Sequence, residues 1–389
     1  MKVGTFSFAV SGVERCQQAI MMRNRLAAVL HQRTTSKGAI VKKTYGIGIV
    51  GCGNISDKHA TAVNRIEGVS LVAVSSRSED KALRMAQRFG CEYHTDYEAM
   101  FARDDIDVII ICTPNKTHAS IGIEAARSGK HVIVEKPIDS RLEATDALIR
   151  ACRSANVKLT CIFQHRFDPG VLRLKEAVEN GELGRVSFGG CYVKYFRSQG
   201  YFESSPGRGS WESDGGGAVI INAIHYIDVL QHLLGPAEEV FSYAGTLAHD
   251  DLEVEDVATA VVRFKCGALG TVEASSAAFP GLYSRIELNG DAGSVVMENN
   301  RIKDWRVRDH GMKLHPLYGD LLNKADYTDN GGLFEPAERP DVFARQIEDF
   351  IHAIDDDREP YVSGESARHS LAIVLAIYES AASGKPVRI

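Results

Sequence analysis

The sequence has no C-x-x-C pair, no basic excess and no apolar run of membrane-spanning length, and each absence closes off a class of function. Its eight cysteines are scattered, and Cys112, Cys161 and Cys191 sit inside apolar, strand-like runs. They read as buried free thiols of a reducing cytoplasm rather than as disulfides or a zinc site. No Cys/His cluster has ligand spacing, which excludes a zinc alcohol dehydrogenase, and no metal is expected. A net charge of −6 and a pI near 6.1 provide no basic field for nucleic acid. Without a long apolar run no membrane partner is expected either. A short-chain reductase would need Tyr-x-x-x-Lys on the helix after the fourth strand, and that motif is missing.

What remains is a globular composition, 44% hydrophobic and 25% charged, over 389 residues. That length suits two domains of ordinary size. Residues 1–43 stand apart, with eight Lys/Arg against the single acid Glu14, so residues 44–389 carry a net −13. Two readings fit this non-core extension. One is an organellar transit peptide. The other, preferred here, is translated upstream sequence with the true start at Val41, because leader composition alone is only suggestive.

From Tyr45 onward short apolar strands alternate with helices. Gly46–Val50, Val69–Ser75, Val108–Cys112, His131–Val134 and Lys158–Phe163 read as strands. Lys58–Ile66, Glu79–Phe89, Asp96–Ala102, Ile121–Ser128 and Leu142–Ala155 read as the helices between them. Unbroken apolar strands alternating with helices indicate a doubly wound parallel sheet covered on both faces, a Rossmann domain over 44–165. After Arg166 the texture changes to longer strands joined by glycine turns: Val186–Phe196, Val257–Phe264, Leu269–Ser275, Ser284–Gly290 and Gly293–Met297. With helices Val171–Asn180, Ala218–Leu234, Asp341–Ile354 and Glu365–Ser383, residues 166–389 read as an α+β domain with a large, mostly antiparallel sheet. Strands Val257–Phe264 and Leu269–Ser275 carry apolar residues on both faces, which predicts a homodimer or homotetramer joined through the outward face.

A dinucleotide site follows the first strand. Gly51 permits the tight turn, and Gly53 lets the backbone N–H groups of Asn54 and Ile55 approach a pyrophosphate at the helix N-terminus. The third position of the pattern is Ser56 rather than glycine. G-x-G alone is weak evidence; between a strand and a helix at the head of a βαβ series it is strong. The second strand ends in Ser75-Ser76-Arg77-Ser78, without the acid that binds ribose hydroxyls. Ser76 and Arg77 therefore favour NADP over NAD.

Lys136 ends a strand at the carboxyl edge of the sheet, where doubly wound folds bind ligands. A partly desolvated lysine there can polarise a substrate hydroxyl or carbonyl. His225 lies mid-helix behind a glycine-rich loop, Asp214–Gly217, that can bring it to a cleft. Carbinol oxidation needs such a proton acceptor while hydride leaves for the nicotinamide.

These residues resemble a known family. Cys112-Thr113-Pro114-Asn115 with His118, then Glu135-Lys136-Pro137, the Gly215–Gly217 loop, His225 with Asp228, and the closing Arg368–Leu371 and Tyr378–Ala381 stretches follow one another in the order of the glucose–fructose oxidoreductase/inositol dehydrogenase (Gfo/Idh/MocA) family. The resemblance runs from about Tyr45 to the C-terminus. Within the family, the run from Tyr195 through Trp211 to Gly217 is similar to dehydrogenases of UDP-linked N-acetylglucosaminuronic acid, which gives an alternative substrate. The resemblance implies a lysine, Lys136, touching both cofactor and substrate, and an acid/base histidine, His225. It places Thr113, Asn115, His118 and Glu135 beside the cofactor. Many members carry Asp four residues before the histidine; this chain has Ile221 there and Asn222 next to it, leaving Asp228 as the candidate to orient the imidazole. Gln164 ends the last Rossmann strand and is expected to bond the nicotinamide carboxamide. Arg166, Arg197, Trp211 and Asn222, with His165, Tyr201 and Arg208 nearby, are the groups suited to a sugar or sugar phosphate. The expectation is a cytoplasmic NAD(P)-dependent oxidoreductase acting at a carbinol of a sugar, polyol or sugar derivative. A non-catalytic dinucleotide sensor is the contrasting reading, and it would need neither Lys136 nor His225.

Overall fold

The first strand, Tyr45–Val50, is buried at all six residues, as its apolar run and two small glycines allow. It is β1 of a six-stranded sheet with β2 Val69–Ser75, β3 Glu92–His94, β4 Val108–Ile111, β5 His131–Val134 and β6 Leu159–Cys161. The order is β3-β2-β1-β4-β5-β6 and every pairing is parallel, the doubly wound arrangement with its topological switch between β1 and β4. The computed structural model describes residues 44–204, 207–308, 327–328 and 341–389. The expected extension 1–43 and the start at Val41 lie outside the described residues.

The second sheet has nine strands: β7 Val186–Lys194, β8 Ala237–Gly245, β9 Val257–Phe264, β10 Leu269–Ser275, β11 Ser284–Gly290, β12 Gly293–Glu298, β13 Arg301–Arg308, β14 Tyr327–Thr328 and β15 Val387–Arg388. Their order is β14-β13-β12-β11-β7-β10-β9-β8-β15, antiparallel throughout except for β7 with β10. Residues alternate strictly between buried and partly or fully exposed along β9 and β10, the period-two signature of a sheet with one covered face. Helices Ile224–Leu234 and Gly364–Ser383 cover that face, while Tyr243, Val261 and Leu269 stay exposed on the strands. The α/β class and the mostly antiparallel second sheet are as expected. Strands β3, β8 and β13–β15 were not anticipated; they are short, or alternate with charges that hide their apolar period.

Two features depart from the sequence reading. Helix Val342–Asp355 packs Ile347, Phe350 and Ile351 onto Ile47, Ile49 and Ile110 of the parallel sheet, although it lies near the chain's end. A second apolar cluster runs from Ile109 and Val134 in the first sheet to Val272 and Leu288 in the second, and residues 44–389 form one unit. Each large apolar side chain so buried contributes about 1.5–3 kcal/mol. One segment does reach membrane-spanning length, contrary to the expectation from the sequence. Trp211–Leu234, 24 residues, is long and apolar enough by composition, yet 78% of its apolar window is buried inside the protein. Its hydrophobicity is that of a core helix.

Candidate active site

The turn after β1 is shaped by two glycines with different tasks. Gly51 has φ +100°, and a Cβ there would stand 2.6 Å from the carbonyl oxygen of Cys112. Gly53 caps helix Asn54–Val63 with φ −100° and no capping side chain, and a Cβ on it would meet nothing within 4 Å. The helix N-terminus therefore faces open space, the cradle that a pyrophosphate requires. Ser56, in place of the third glycine, is fully buried and donates its hydroxyl to the Gly53 carbonyl. At the end of β2, Ser76 accepts a hydrogen bond from the Ser78 N–H at 3.2 Å, and Arg77 is exposed without an ion pair among the described residues.

Beyond this turn the strand ends β4 and β5 form one wall of a cleft of about 250 Å³. Eight of the expected residues line it: Ile55, Thr113, Asn115, His118, Glu135, Lys136, Gln164 and His225. Cys112 and Phe343 complete the lining. Phe343 comes from the helix that returns to the first sheet, and nothing local in the sequence marks it for this place.

Lys136 is half-buried, and its Nζ donates to the carbonyl of Ile221 at 2.8 Å. That carbonyl belongs to Val219–Ala223, a π-helical turn where an unbroken α-helix was expected. Such turns shift the backbone ladder and recur at functional sites. The turn is held by Glu255, whose carboxylate accepts from the N–H groups of Gly217 and Val219 at 2.8 and 2.9 Å and from the Tyr378 hydroxyl at 3.1 Å. Gly217 is obligatory, since a Cβ would fall 1.8 Å from the Glu255 carbonyl oxygen. Burial lowers the proton affinity of Lys136, against the opposing pull of Glu135.

Glu135 is buried, accepting from the Lys136 N–H at 3.0 Å and meeting His59 Nε2 at 2.7 Å. Burial would raise its pKa, but the His59 contact and the nearby Lys136 charge hold it below the usual carboxylate value. His59, which the sequence reading missed, sits one helical turn beyond Ser56 and is fully buried.

His225 lines the cleft with a buried Nδ1 that has no partner among the described residues. Burial first, then the charges of Lys136 and His165, push its pKa well below the ordinary imidazole value. His165 packs against it with ring centroids 5.2 Å apart. Behind His165, the carboxylate of Asp168 lies 2.9 Å from Nδ1 and accepts from the Asn300 amide at 2.7 Å. Gln164 Oε1 is likewise buried with no partner among the described residues, an acceptor that suits the carboxamide N–H of a nicotinamide.

Other expected residues do different work. Arg166 is 1% exposed and binds both oxygens of Asp228, at 2.7 and 2.6 Å, while Ser370 donates to the same carboxylate. Arg166 is thus locked in the core rather than offered to substrate, and Asp228 is engaged there rather than orienting His225. His118 lines the cleft, but its ring nitrogens face the carbonyls of Pro137 and Thr113 at 2.8 and 2.7 Å, so it ties two strand ends together. Trp211 is 47% exposed, donates to the Glu253 carbonyl and stacks edge-on with Tyr378, lining neither this cleft nor its neighbour. Arg197 and Asn222 line a separate, adjoining cavity.

The model for an oxidoreductase family with an NAD-binding Rossmann fold matches residues 45–163, and that for the same family's C-terminal alpha/beta domain matches 175–389. The chain belongs to the Gfo/Idh/MocA oxidoreductase family. Among its relatives, myo-inositol 2-dehydrogenase of Thermotoga maritima is 30% identical over 88% of this chain and 98% of its own. Inositol 2-dehydrogenase of Rhizobium meliloti is 29% identical over 89% and 99%. The WlbA dehydrogenase of Bordetella pertussis, solved with NADH and UDP-GlcNAcA, superposes with a TM-score of 0.78 at 29% identity, covering 89% of this chain and 99% of that one. The chain is accordingly an NAD(P)-dependent oxidoreductase, and the activity expected from its sequence is that of sugar and polyol dehydrogenases in this family.

Proposed function

We propose that the cleft oxidises a carbinol carbon of a sugar or polyol, with Lys136 and His225 as the catalytic pair. The observation that carries this is the fixed Lys136 ammonium, held on the Ile221 carbonyl, in one cleft with the low-pKa His225. When bound, the nicotinamide supplies the hydride acceptor. Lys136 polarises the substrate oxygen, and neutral His225 takes the hydroxyl proton. Each charge disfavours the other, so the pair holds one proton more readily than two. Gln164 orients the carboxamide, and the open helix N-terminus beyond Gly53 receives the pyrophosphate. NADP is the preferred cofactor, because Arg77 stands where a ribose-binding acid would repel a 2′-phosphate. The enzyme works in the cytoplasm, in keeping with seven free cysteines among the described residues, as a homo-oligomer joined through the outer face of the second sheet. Residues 44–165 serve the cofactor and 166–389 the substrate, a division that the family models at 45–163 and 175–389 support.

The test is reduction of NADP or NAD by a panel of inositols and aldoses, followed by absorbance. Lys136→Ala and His225→Ala should each lower kcat by about 10²–10⁴. Near-full turnover in His225→Ala would sink the mechanism.

A further inference from the structure

A second, smaller cavity has Ile221 and Asn222 in its wall. It thus adjoins the residue whose carbonyl holds Lys136. Its lining differs from that of the first cleft. The guanidinium groups of Arg197 and Arg208 both stack on Tyr201, 5.2 and 4.3 Å from the ring centroid, so two cations share one aromatic ring. Arg208 has Asp214 within electrostatic reach. Arg197 has no carboxylate partner among the described residues; it donates from one nitrogen to the Phe196 carbonyl at 3.2 Å and leaves most of its five N–H donors uncommitted.

A second, independent observation points to a ligand. Ser276, 2% exposed, lines the cavity with a buried Oγ that has no partner among the described residues. Buried hydroxyls are nearly always paired, and an unpaired one on a cavity wall is a ready contact for an incoming group. The backbone N–H of Arg197 donates to the Ser276 carbonyl at 2.7 Å, which holds the two residues side by side. The two carboxylates in the same wall are occupied: Asp214 accepts from the Gly209 N–H, and Glu255 from Gly217, Val219 and Tyr378.

We propose that this cavity is an anion subsite that receives the carboxylate or phosphate oxygens of an acidic sugar, with Arg197 and Ser276 as its specificity-determining residues. The inference rests on the dehydrogenase reading, in that the carbinol of the same sugar lies against Lys136 and His225. A planar guanidinium matches two oxygens of either anion, and the Ser276 hydroxyl supplies a further donor.

The experiment uses the full chain saturated with reduced cofactor and three probes: D-glucuronate, D-glucose 6-phosphate and neutral myo-inositol. Calorimetry should show at least one acidic sugar binding about tenfold or more tightly than myo-inositol, an advantage that shrinks as salt is added. Comparison of the two acids tells carboxylate from phosphate. Arg197→Gln should cut the acid-to-neutral ratio about ten- to hundredfold, the worth of a charge-assisted hydrogen bond. Arg197→Lys should restore part of the ratio, and Ser276→Ala should lower it up to about tenfold. If Arg197→Gln does not fold, Arg197→Lys and Ser276→Ala are read by the same ratio. Binding of both acids no tighter than myo-inositol overturns the subsite, as does an unchanged ratio in folded variants. Turnover measured with the oxidised cofactor and the same probes separates the two readings. Oxidation of myo-inositol without any preference for acids leaves the dehydrogenase standing and removes the subsite. Arg197-dependent binding of an acid, with no probe reducing the cofactor, does the reverse.

Discussion

Lys136 and Ile221 are joined by a hydrogen bond of 2.8 Å from the ammonium to a backbone carbonyl, between the end of a parallel strand and a π-helical turn. At the position where the family resemblance implies an aspartate this chain has the aliphatic Ile221, and its main chain provides the acceptor. A carbonyl cannot titrate, so the carboxylates that act on the ammonium are those of Glu135 and Asp214 nearby. The pH dependence then belongs to Lys136 and His225 themselves.

For oxidation, kcat should rise with pH as His225 loses its proton, because only neutral imidazole accepts one. Its folded-state pKa is lowered by burial, Lys136 and His165, so the midpoint should fall below the ordinary value of 6.5. The rate should decline again as Lys136 loses its proton, below the ordinary lysine value of 10.5, since burial disfavours the ammonium. A pH profile of kcat with saturating substrate checks both limbs, and an acid limb centred above neutrality contradicts the assignment.

The two glycines of the cofactor turn should respond differently to alanine. Gly53→Ala meets open space at an ordinary φ, so the protein should melt like wild type while losing about tenfold or more in dinucleotide affinity, because a methyl group would obstruct the pyrophosphate. Gly51→Ala must place Cβ against the Cys112 carbonyl at φ +100° and should lower stability itself, by at least about 1 kcal/mol. Thermal melts paired with cofactor titration separate the two outcomes.

Arg77→Asp should reverse the cofactor preference. The exposed arginine has no ion pair among the described residues to hold it, and an acid in its place would bond ribose hydroxyls and repel a 2′-phosphate. Equilibrium titration that finds NAD bound equally well or more tightly by the wild type removes the NADP assignment.

Removing Asp228 should cost stability rather than chemistry. Asp228→Ala leaves the Arg166 guanidinium, 1% exposed, without its carboxylate, a loss of about 3–5 kcal/mol. Urea unfolding measures it directly. A variant that kept its stability but lost substrate affinity would return Arg166 to the substrate site.

The outer face of the second sheet should be an interface. Tyr243, Val261 and Leu269 are 69%, 55% and 54% exposed on adjoining strands, and contiguous apolar surface of this kind marks association. Light scattering should give a dimer or tetramer, and Val261→Glu should shift it toward the monomer. A wild-type monomer at micromolar concentration disproves the interface.

The sequence by itself determined the parallel sheet, since unbroken apolar strands such as Val108–Ile111 can only be buried on both faces, and helices between them impose right-handed crossovers. It also determined the cofactor turn and most of the cleft, because strand ends of a doubly wound sheet converge whatever their neighbours do. Tertiary structure alone decided the rest. Phe343 reaches the cleft from a helix nearly three hundred residues downstream of Gly51, and no local period records so distant a contact. Arg166 and Asp228 have the composition of a ligand site, yet they find one another in the core, where an unpaired charge would be far costlier than a paired one. The π-helical turn at Ile221 arises because Glu255, Gly217 and Tyr378 seize the start of the helix from elsewhere in the chain. Residue types announce which groups can do chemistry; which of them face the cleft is settled by long-range packing.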